Sequence, residues 1–296
     1  MILADNLSAL DVKGAIVTIG NFDGVHRGHR MLLEHVRGRS KATGRSSVVI
    51  TFFPPTRVVF SGAHFLSSDE EKRALLSPFE PAAIVTIPFN HSYAQTDRAV
   101  FIDQLRHLAP HTIVVGEDFR FGHRRAGNLN DLSLIASRLE VFGLKVVEGE
   151  VVSSSRIREH LATGRIEEAN RLLGYPYLAI GRVTRGKSRG RTIGFPTANV
   201  MADERKALPL GVFAVTARIG SETYKGMANA GLRPSFPDAP PSLEVHLFCD
   251  DLNLYGRTIE TSFHAHLRGQ LRFHNLEALK AQLKQDREAA KAVLQP

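Results

Sequence analysis

Apolar positions in the first half of the chain follow two alternating rhythms. Short β-branched runs at residues 15–19, 47–52, 82–87, 112–115 and 145–148 read as strands, and amphipathic stretches at 29–39, 68–79, 98–108 and 130–142 read as helices between them. Helices of that length between strands are the crossovers of a parallel sheet, so this half is expected to be a doubly wound α/β domain. Ligands in such sheets gather beyond the carboxyl ends of the strands, which points to the loops after Ile19, Phe52 and Val115 before any motif is considered.

The rhythm changes near Gly174-Tyr175-Pro176, after two short helical patterns that end in Arg171-Leu172-Leu173. Strand-like runs at 178–184, 212–219, 222–230, 242–248 and 258–271, separated by Gly, Pro and Asn, have the spacing of an antiparallel barrel. Leu276, Leu279, Leu283, Ala290 and Val293 then mark an amphipathic C-terminal helix packed on that barrel. Two domains are expected in the 296 residues, 1–178 and 179–296.

Composition narrows the function. With 43% hydrophobic and 23% charged residues, the chain is neither disordered nor fibrous. No apolar run approaches the roughly 20 residues of a membrane helix. No basic segment leads into an apolar run after Met1, and the single cysteine, Cys249, cannot form an internal disulfide, so a cytoplasmic protein is expected. The net charge of +8 suggests an anionic partner. It divides as 21 − 19 = +2 over residues 1–178 and 17 − 11 = +6 over 179–296, with Arg182, Arg185, Lys187, Arg189 and Arg191 inside ten residues. That cluster reads as a local anion site. A nucleic-acid footprint would interleave aromatics, which this segment lacks, so neither nucleic acid nor membrane is expected as a partner.

The first strand runs into Gly20-Asn21-Phe22-Asp23-Gly24-Val25-His26-Arg27-Gly28-His29, which opens the first crossover helix. His26 and His29 are three apart at a helix start, so both rings face one side, toward the end where unpaired N–H groups and the helix dipole favour phosphate. Gly28 leaves room for close approach. Imidazole donors placed there suit stabilisation of a five-coordinate α-phosphate and a departing pyrophosphate, with no covalent enzyme intermediate. The segment resembles the nucleotidyltransferases with an H-x-G-H signature, which join a nucleotide to a phosphorylated acceptor; the resemblance makes His26 and His29 catalytic and places Gly20, Phe22, Asp23, Gly24 and Gly28 at ATP. Val152-Ser153-Ser154-Ser155-Arg156-Ile157-Arg158 is similar to that family's Ser-Ser-Thr-x-x-Arg element, with Ser155 keeping the hydroxyl of the usual Thr. Ser154, Ser155, Arg156 and Arg158 at a helix start suit the β- and γ-phosphates of ATP. Residues 115–122, Val-Gly-Glu-Asp-Phe-Arg-Phe-Gly, resemble the G-x-D-F-x-F-G segment of bacterial FAD synthetases, with Asp118 toward the nucleotide and Phe119 and Phe121 in the core.

In the second half, Gly181-Arg182-Val183-Thr184-Arg185-Gly186-Lys187 and Gly190-Arg191-Thr192-Ile193-Gly194-Phe195-Pro196-Thr197-Ala198-Asn199 resemble the riboflavin kinase signature. Glycines there let backbone N–H groups reach phosphate, and the basic side chains neutralise it. The resemblance places Gly181, Gly186, Lys187, Gly190, Arg191, Gly194, Pro196, Asn229 and Arg268 at ATP and flavin. It gives Thr197 and Asn199 to Mg²⁺, a metal that takes hard oxygen ligands. By the same resemblance Glu244, in Leu243-Glu244-Val245-His246, is the general base that takes the proton of the ribityl 5′-hydroxyl.

The whole chain thus resembles the bifunctional prokaryotic riboflavin kinases and FAD synthetases. The implied fold is a Rossmann-like nucleotidyltransferase domain with a parallel sheet, followed by an antiparallel β-barrel kinase domain with a C-terminal helix. The implied chemistry is riboflavin and ATP to FMN, then FMN and ATP to FAD and pyrophosphate, with Mg²⁺ required and with small molecules as the partners of a monomer or weakly self-associating protein. One position departs from the family: Pro55 stands where a histidine is usual, and its ring offers no hydrogen bond. Loss of adenylylation, leaving a riboflavin kinase alone, is the alternative.

Overall fold

The computed structural model describes residues 1–143, 145–185, 190, 193–231, 242–249 and 252–295. Its contacts divide the chain into two compact units, Met1–Ser154 and Ser155–Pro296.

The first unit is built on a six-stranded parallel sheet of β1 (Ile2–Ala4), β2 (Ile16–Ile19), β3 (Ser47–Phe53), β4 (Ala83–Pro88), β5 (Thr112–Gly116) and β6 (Arg138–Phe142), in the order β1-β4-β3-β2-β5-β6. The crossovers carry α1 (Arg27–Thr43), α2 (Thr56–Ser61), α3 (Asp69–Leu76), α4 (Arg98–Arg106) and α5 (Leu129–Ser133). Both faces of the sheet are buried, as parallel sheets require. Ile16, Val49, Ile84 and Val114 pack with Leu33, Val36 and Leu76 on one side. Val17, Val48, Val85 and Ile113 pack with Phe101 and Leu105 on the other. The order places the switch point between β2 and β5, whose carboxyl ends lead into residues 20–29 and 117–127.

Two expectations fail here. Residues 130–142, read as one helix, split into α5 and the edge strand β6; pairing of β6 with β5, Val114 opposite Glu140, overrides an apolar spacing that suits a helix locally. Residues 145–148 do contain a strand, but it does not join the parallel sheet. Instead β7 (Val146–Val147) and β8 (Glu150–Val151) form a short hairpin turned at Glu148 and Gly149, with φ of 50° and 81°.

The second unit opens with α6 (Ser154–Ala162), whose first residue belongs to the first unit, and α7 (Ile166–Leu173). A closed six-stranded antiparallel barrel follows: β9 (Tyr177–Thr184), β10 (Ala198–Met201), β11 (Gly211–Ile219), β12 (Glu222–Gly231), β13 (Ser242–Leu247) and β14 (Thr258–Arg268), in the order β10-β13-β12-β11-β14-β9. Contacts therefore divide the chain earlier than the punctuation at 174–176 suggests. The reason is that α7 is stitched to the barrel: Asn170 donates to Phe263 O at 2.8 Å and accepts from Tyr177 N–H at 2.7 Å. Strand β10, whose first two residues close the glycine-rich signature, is absent from the sequence reading, and β14 ends at Arg268, short of 271. The C-terminal helix, Leu276–Val293, lays Ala290 and Leu283 against Ala214, Met227 and Phe195 on the barrel's outer wall.

Two candidate active sites

The first site is the turn after β2. Gly20 is still bonded to the sheet, its N–H donating to Ile50 O at 3.0 Å, and then Phe22, Gly24 and Val25 take positive φ of 44°, 76° and 35°. Ties from several sides hold that conformation. Thr51 Oγ1 donates to Asn21 O at 3.0 Å, and the Asn21 side chain brackets Thr56, accepting from its N–H at 3.1 Å and donating to its Oγ1 at 3.2 Å. Asp23 Oδ1 accepts from the N–H groups of Leu66 and Ser67 at 2.8 and 3.1 Å, Gly24 N–H donates to Ser67 Oγ at 3.0 Å, and Ser154 Oγ donates to Asp23 O at 2.9 Å. Asp23 and Ser154, expected at the nucleotide, thus help to build the turn, and the structure brings these two sequence motifs together.

His26 caps α1, its Nδ1 accepting from His29 N–H at 3.4 Å, which leaves the ring proton on Nε2. The two rings stack with centroids 3.6 Å apart and planes 13° from parallel, and Phe22, fully buried, meets His29 edge-on at 5.1 Å. A Cβ at Gly28 would lie 3.3 Å from His26 Nδ1, so the glycine admits the stack. Burial pushes His26 down to about 4. His29 falls well below the ordinary imidazole value, through burial first and then the nearby charges of His26 and Lys72. Both rings are therefore neutral near pH 7, and His29 Nδ1 is buried without a hydrogen bond. Neutral imidazoles at a helix start can donate to phosphate oxygens.

Beyond β5, Asp118 is exposed while Phe119 stacks on Phe121 at 5.9 Å and Phe121 meets Phe101 at 5.2 Å, the division expected of that segment. In the first turn of α6, Arg156 is exposed and pairs with Glu159 at 2.9 Å, and Ser155 and Arg158 are half-buried. Pro55 occupies the N-cap of α2, its carbonyl accepting from Val58 N–H at 2.9 Å. Sequence reasoning missed two features. Phe52, Phe89 and Tyr93 form an aromatic group at the carboxyl ends of β3 and β4, and Phe60, 63% exposed, stands 5.9 Å from Phe89 and 6.0 Å from His91. Those rings follow no period. The other is Lys72, fully buried on α3. Its signal was legible, since position 72 shares a helical stripe with Leu76 and Phe79.

The second site is a cavity of about 300 Å³ between the barrel's outer wall and the C-terminal helix, lined by Gly190, Thr197, Asn229, Glu244 and Arg268 among the expected residues. Register explains the gathering. Thr184 faces Asn199, Asn199 faces Glu244, Glu244 faces Asn229, Asn229 faces Val212, and Val212 faces Arg268, one transverse row through all six strands. Residues directly opposite share a sheet face, so Asn199 lies beside Glu244 although it does not line the cavity. Glu244 is half-buried, and its carboxylate makes no hydrogen bond or ion pair with any described residue. Arg268 is engaged differently: Nε and Nη2 hold the buried Asp286 at 2.8–3.1 Å and Nη1 donates to Gly269 O at 2.9 Å, so it ties the C-terminal helix to the cavity wall.

The turn before β10 packs tightly. A Cβ on Gly190 would stand 2.2 Å from Phe195 O and one on Gly181 2.5 Å from Met201 O, so neither position admits a side chain. Gly194, at φ 81°, and Pro196 are exposed, and His246 Nδ1 donates to Pro196 O at 2.8 Å. Sequence reasoning did not assign His246, Gln270 or Phe273, which also line the cavity. Gly186, Lys187 and Arg191 lie outside the described residues, as does the run 232–236. Among the basic run's described members, Arg182 Nε donates to Gly256 O at 3.0 Å and Arg185 stands 5.5 Å over the Tyr255 ring.

A parallel sheet with stacked histidines at its switch point, and a closed barrel with a carboxylate, a threonine and asparagines around one cavity, define a two-domain transferase. The FAD synthetase family model matches residues 9–159 and the riboflavin kinase model residues 173–294. The bifunctional riboflavin kinase/FMN adenylyltransferase of Haemophilus influenzae is 36% identical, over 95% of this chain and 94% of its own. That of Escherichia coli K12 is 35% identical, over 97% and 95%. A solved structure of a macrolide-efflux protein from Streptococcus pneumoniae superposes with a TM-score of 0.86 at 27% identity, covering 98% of each chain. The chain belongs to the bifunctional riboflavin kinase/FMN adenylyltransferase family.

Proposed function

We propose that this chain phosphorylates riboflavin with ATP to FMN and then adenylylates FMN with a second ATP, giving FAD and pyrophosphate. Residues 179–296 carry the first step and 1–178 the second. The observation that carries the reading is the presence of two chemically different sites, the stacked His26 and His29 over a switch point and, in the barrel cavity, a Glu244 carboxylate uncommitted among the described residues.

In the kinase step the Glu244 carboxylate accepts the proton of the flavin's 5′-hydroxyl as that oxygen attacks the γ-phosphorus of ATP and the bond to the bridging oxygen breaks, releasing ADP. The apolar wall of Ile193, Phe195, Leu279 and Leu283 takes the flat ring and orders the alcohol against Glu244. Thr197 and Asn199, with hydroxyl and amide oxygens near Glu244, would be the residues to hold Mg²⁺, which takes hard oxygen ligands. When bound, the ion neutralises polyphosphate charge. In the adenylyl step an FMN phosphate oxygen attacks the α-phosphorus while His26 Nε2–H and the His29 ring donate to the oxygens that gain charge as pyrophosphate departs. The aromatic group with Phe60 exposed suits the isoalloxazine ring. Pro55 takes the N-cap position of α2, and it is the two family models and the bifunctional relatives that support two activities over a kinase alone.

The partners are small molecules, with neither nucleic acid nor membrane required of a monomer or weakly self-associating cytoplasmic protein. Among the described residues no helix is long and apolar enough to cross a membrane. Purified protein incubated with riboflavin, ATP and Mg²⁺, its flavins separated by chromatography over time, is expected to yield FMN first and FAD after it. FMN that never proceeds to FAD overturns the second activity.

A further inference from the structure

Lys72 is a buried cation that the chemistry above leaves unused. Its side chain is fully enclosed, the ammonium donating to Phe52 O at 2.7 Å and to Thr51 Oγ1 at 3.3 Å and standing 5.7 Å from the Phe53 ring centroid. Burial lowers it to about 8, against the upward pull of Asp23 on the turn and Asp69 on its own helix, and its charge in turn helps keep His29 neutral. An enclosed ammonium is costly to keep, and the fold could place an aliphatic side chain there more cheaply.

The donors run in one direction only. An ammonium has no lone pair, so Thr51 Oγ1 must accept from it, and the hydroxyl proton is then committed to Asn21 O at 3.0 Å. Asn21 precedes Phe22, held at φ 44°, whose ring braces His29 at 5.1 Å. We propose that Lys72 is a positioning residue for adenylyl transfer: by fixing the Thr51 hydroxyl against Asn21 O it sets the turn that aims His26 and His29. The proposal rests on the adenylyltransferase reading of this site.

The test uses the full chain with supplied FMN, ATP and Mg²⁺, and riboflavin phosphorylation serves as the internal control. Thr51→Val removes the relay hydroxyl at nearly constant volume, and Thr51→Ser restores it. Misplacement of the histidines acts on the transition state, so T51V is expected to lose about tenfold in kcat with both KM values within about twofold, and Lys72→Met to lose more. T51S is expected to return to within about twofold of the parent, since it keeps both hydrogen bonds. T51V at parental kcat, or T51S as impaired as T51V, overturns the relay whether or not K72M folds. A parent protein that makes no FAD at all defeats the adenylyltransferase reading instead, so the two failures are distinguishable.

Discussion

In the first unit the histidines ride on a turn whose peptide and side-chain groups are already bonded to β3, to α2, to residues 66–67 and to Ser154; in the second, Glu244 stands in a row of strand side chains, its carboxylate uncommitted among the described residues. The contrast follows from the elements. A loop at a switch point has no ladder to define it and must be fixed by ties to its neighbours, whereas a barrel strand fixes side-chain direction by register alone. Charge differs in the same sense. Burial keeps the imidazoles neutral and leaves them as directional donors, while the Glu244 carboxylate is only half-buried.

The sharpest way to break this comparison is to remove one site at a time. Glu244→Gln keeps the shape and deletes the proton acceptor, so FMN formation is expected to fall by about 10²–10⁴ while adenylylation of supplied FMN is unchanged. His29→Ala removes one donor from the stack and is expected to lower FAD formation by about 10²–10³ with riboflavin phosphorylation intact. Assays of both reactions on each variant check the division; either substitution silencing both steps in a folded protein refutes it.

How far the sequence disclosed these sites depended on whether the determining interactions are local. The H-x-G-H stack was legible because three-residue spacing at a helix start is a local fact. So was the choice between Phe119 and Asp118, since aromatics two apart usually face the core, although these residues follow β5 rather than extend it. The row from Thr184 to Arg268 was not, since its members lie on six strands that meet only through barrel register. Asp23 and Arg268 show the opposite limit. Each was found by its motif, and each makes scaffold contacts, to Leu66 and Ser67 and to Asp286, that no spacing encodes. Strand β6 escaped because an edge strand's apolar positions need not alternate, and its pairing with β5 decided the matter.

Neutral histidines have a thermodynamic consequence that separates the units by pH. His26 titrates at about 4 in the fold and near 6.5 when unfolded, so between those values the unfolded chain binds the extra proton. Stability is then lost as pH falls from about 6.5 to about 4, and not further below; the gap between the folded and unfolded values corresponds to about 3 kcal/mol as an upper figure. Urea unfolding of the first unit at pH 7 and 4.5 is expected to show a loss that His26→Asn reduces by about 2 kcal/mol. Equal losses in parent and variant contradict a neutral, buried ring.

The smallest effect tests whether the cradle of the first site depends on its flanks. Ser68 caps α3 with a reciprocal box, its Oγ accepting from Glu71 N–H at 3.2 Å while Glu71 Oε2 accepts from Ser68 N–H at 2.7 Å. The neighbouring Ser67 and Leu66 are the donors to Asp23, and Lys72 begins one residue beyond Glu71, so the cap anchors both ends of that network. Ser68→Ala is expected to cost about 1 kcal/mol in the first unit and to leave the barrel's unfolding unchanged. FAD formation should fall with it while FMN formation holds, because the turn loses support but the register of the barrel does not. A loss of stability with both activities at parental rates would mean that the ties from residues 66–67 hold the helix to the sheet without aiming the histidines.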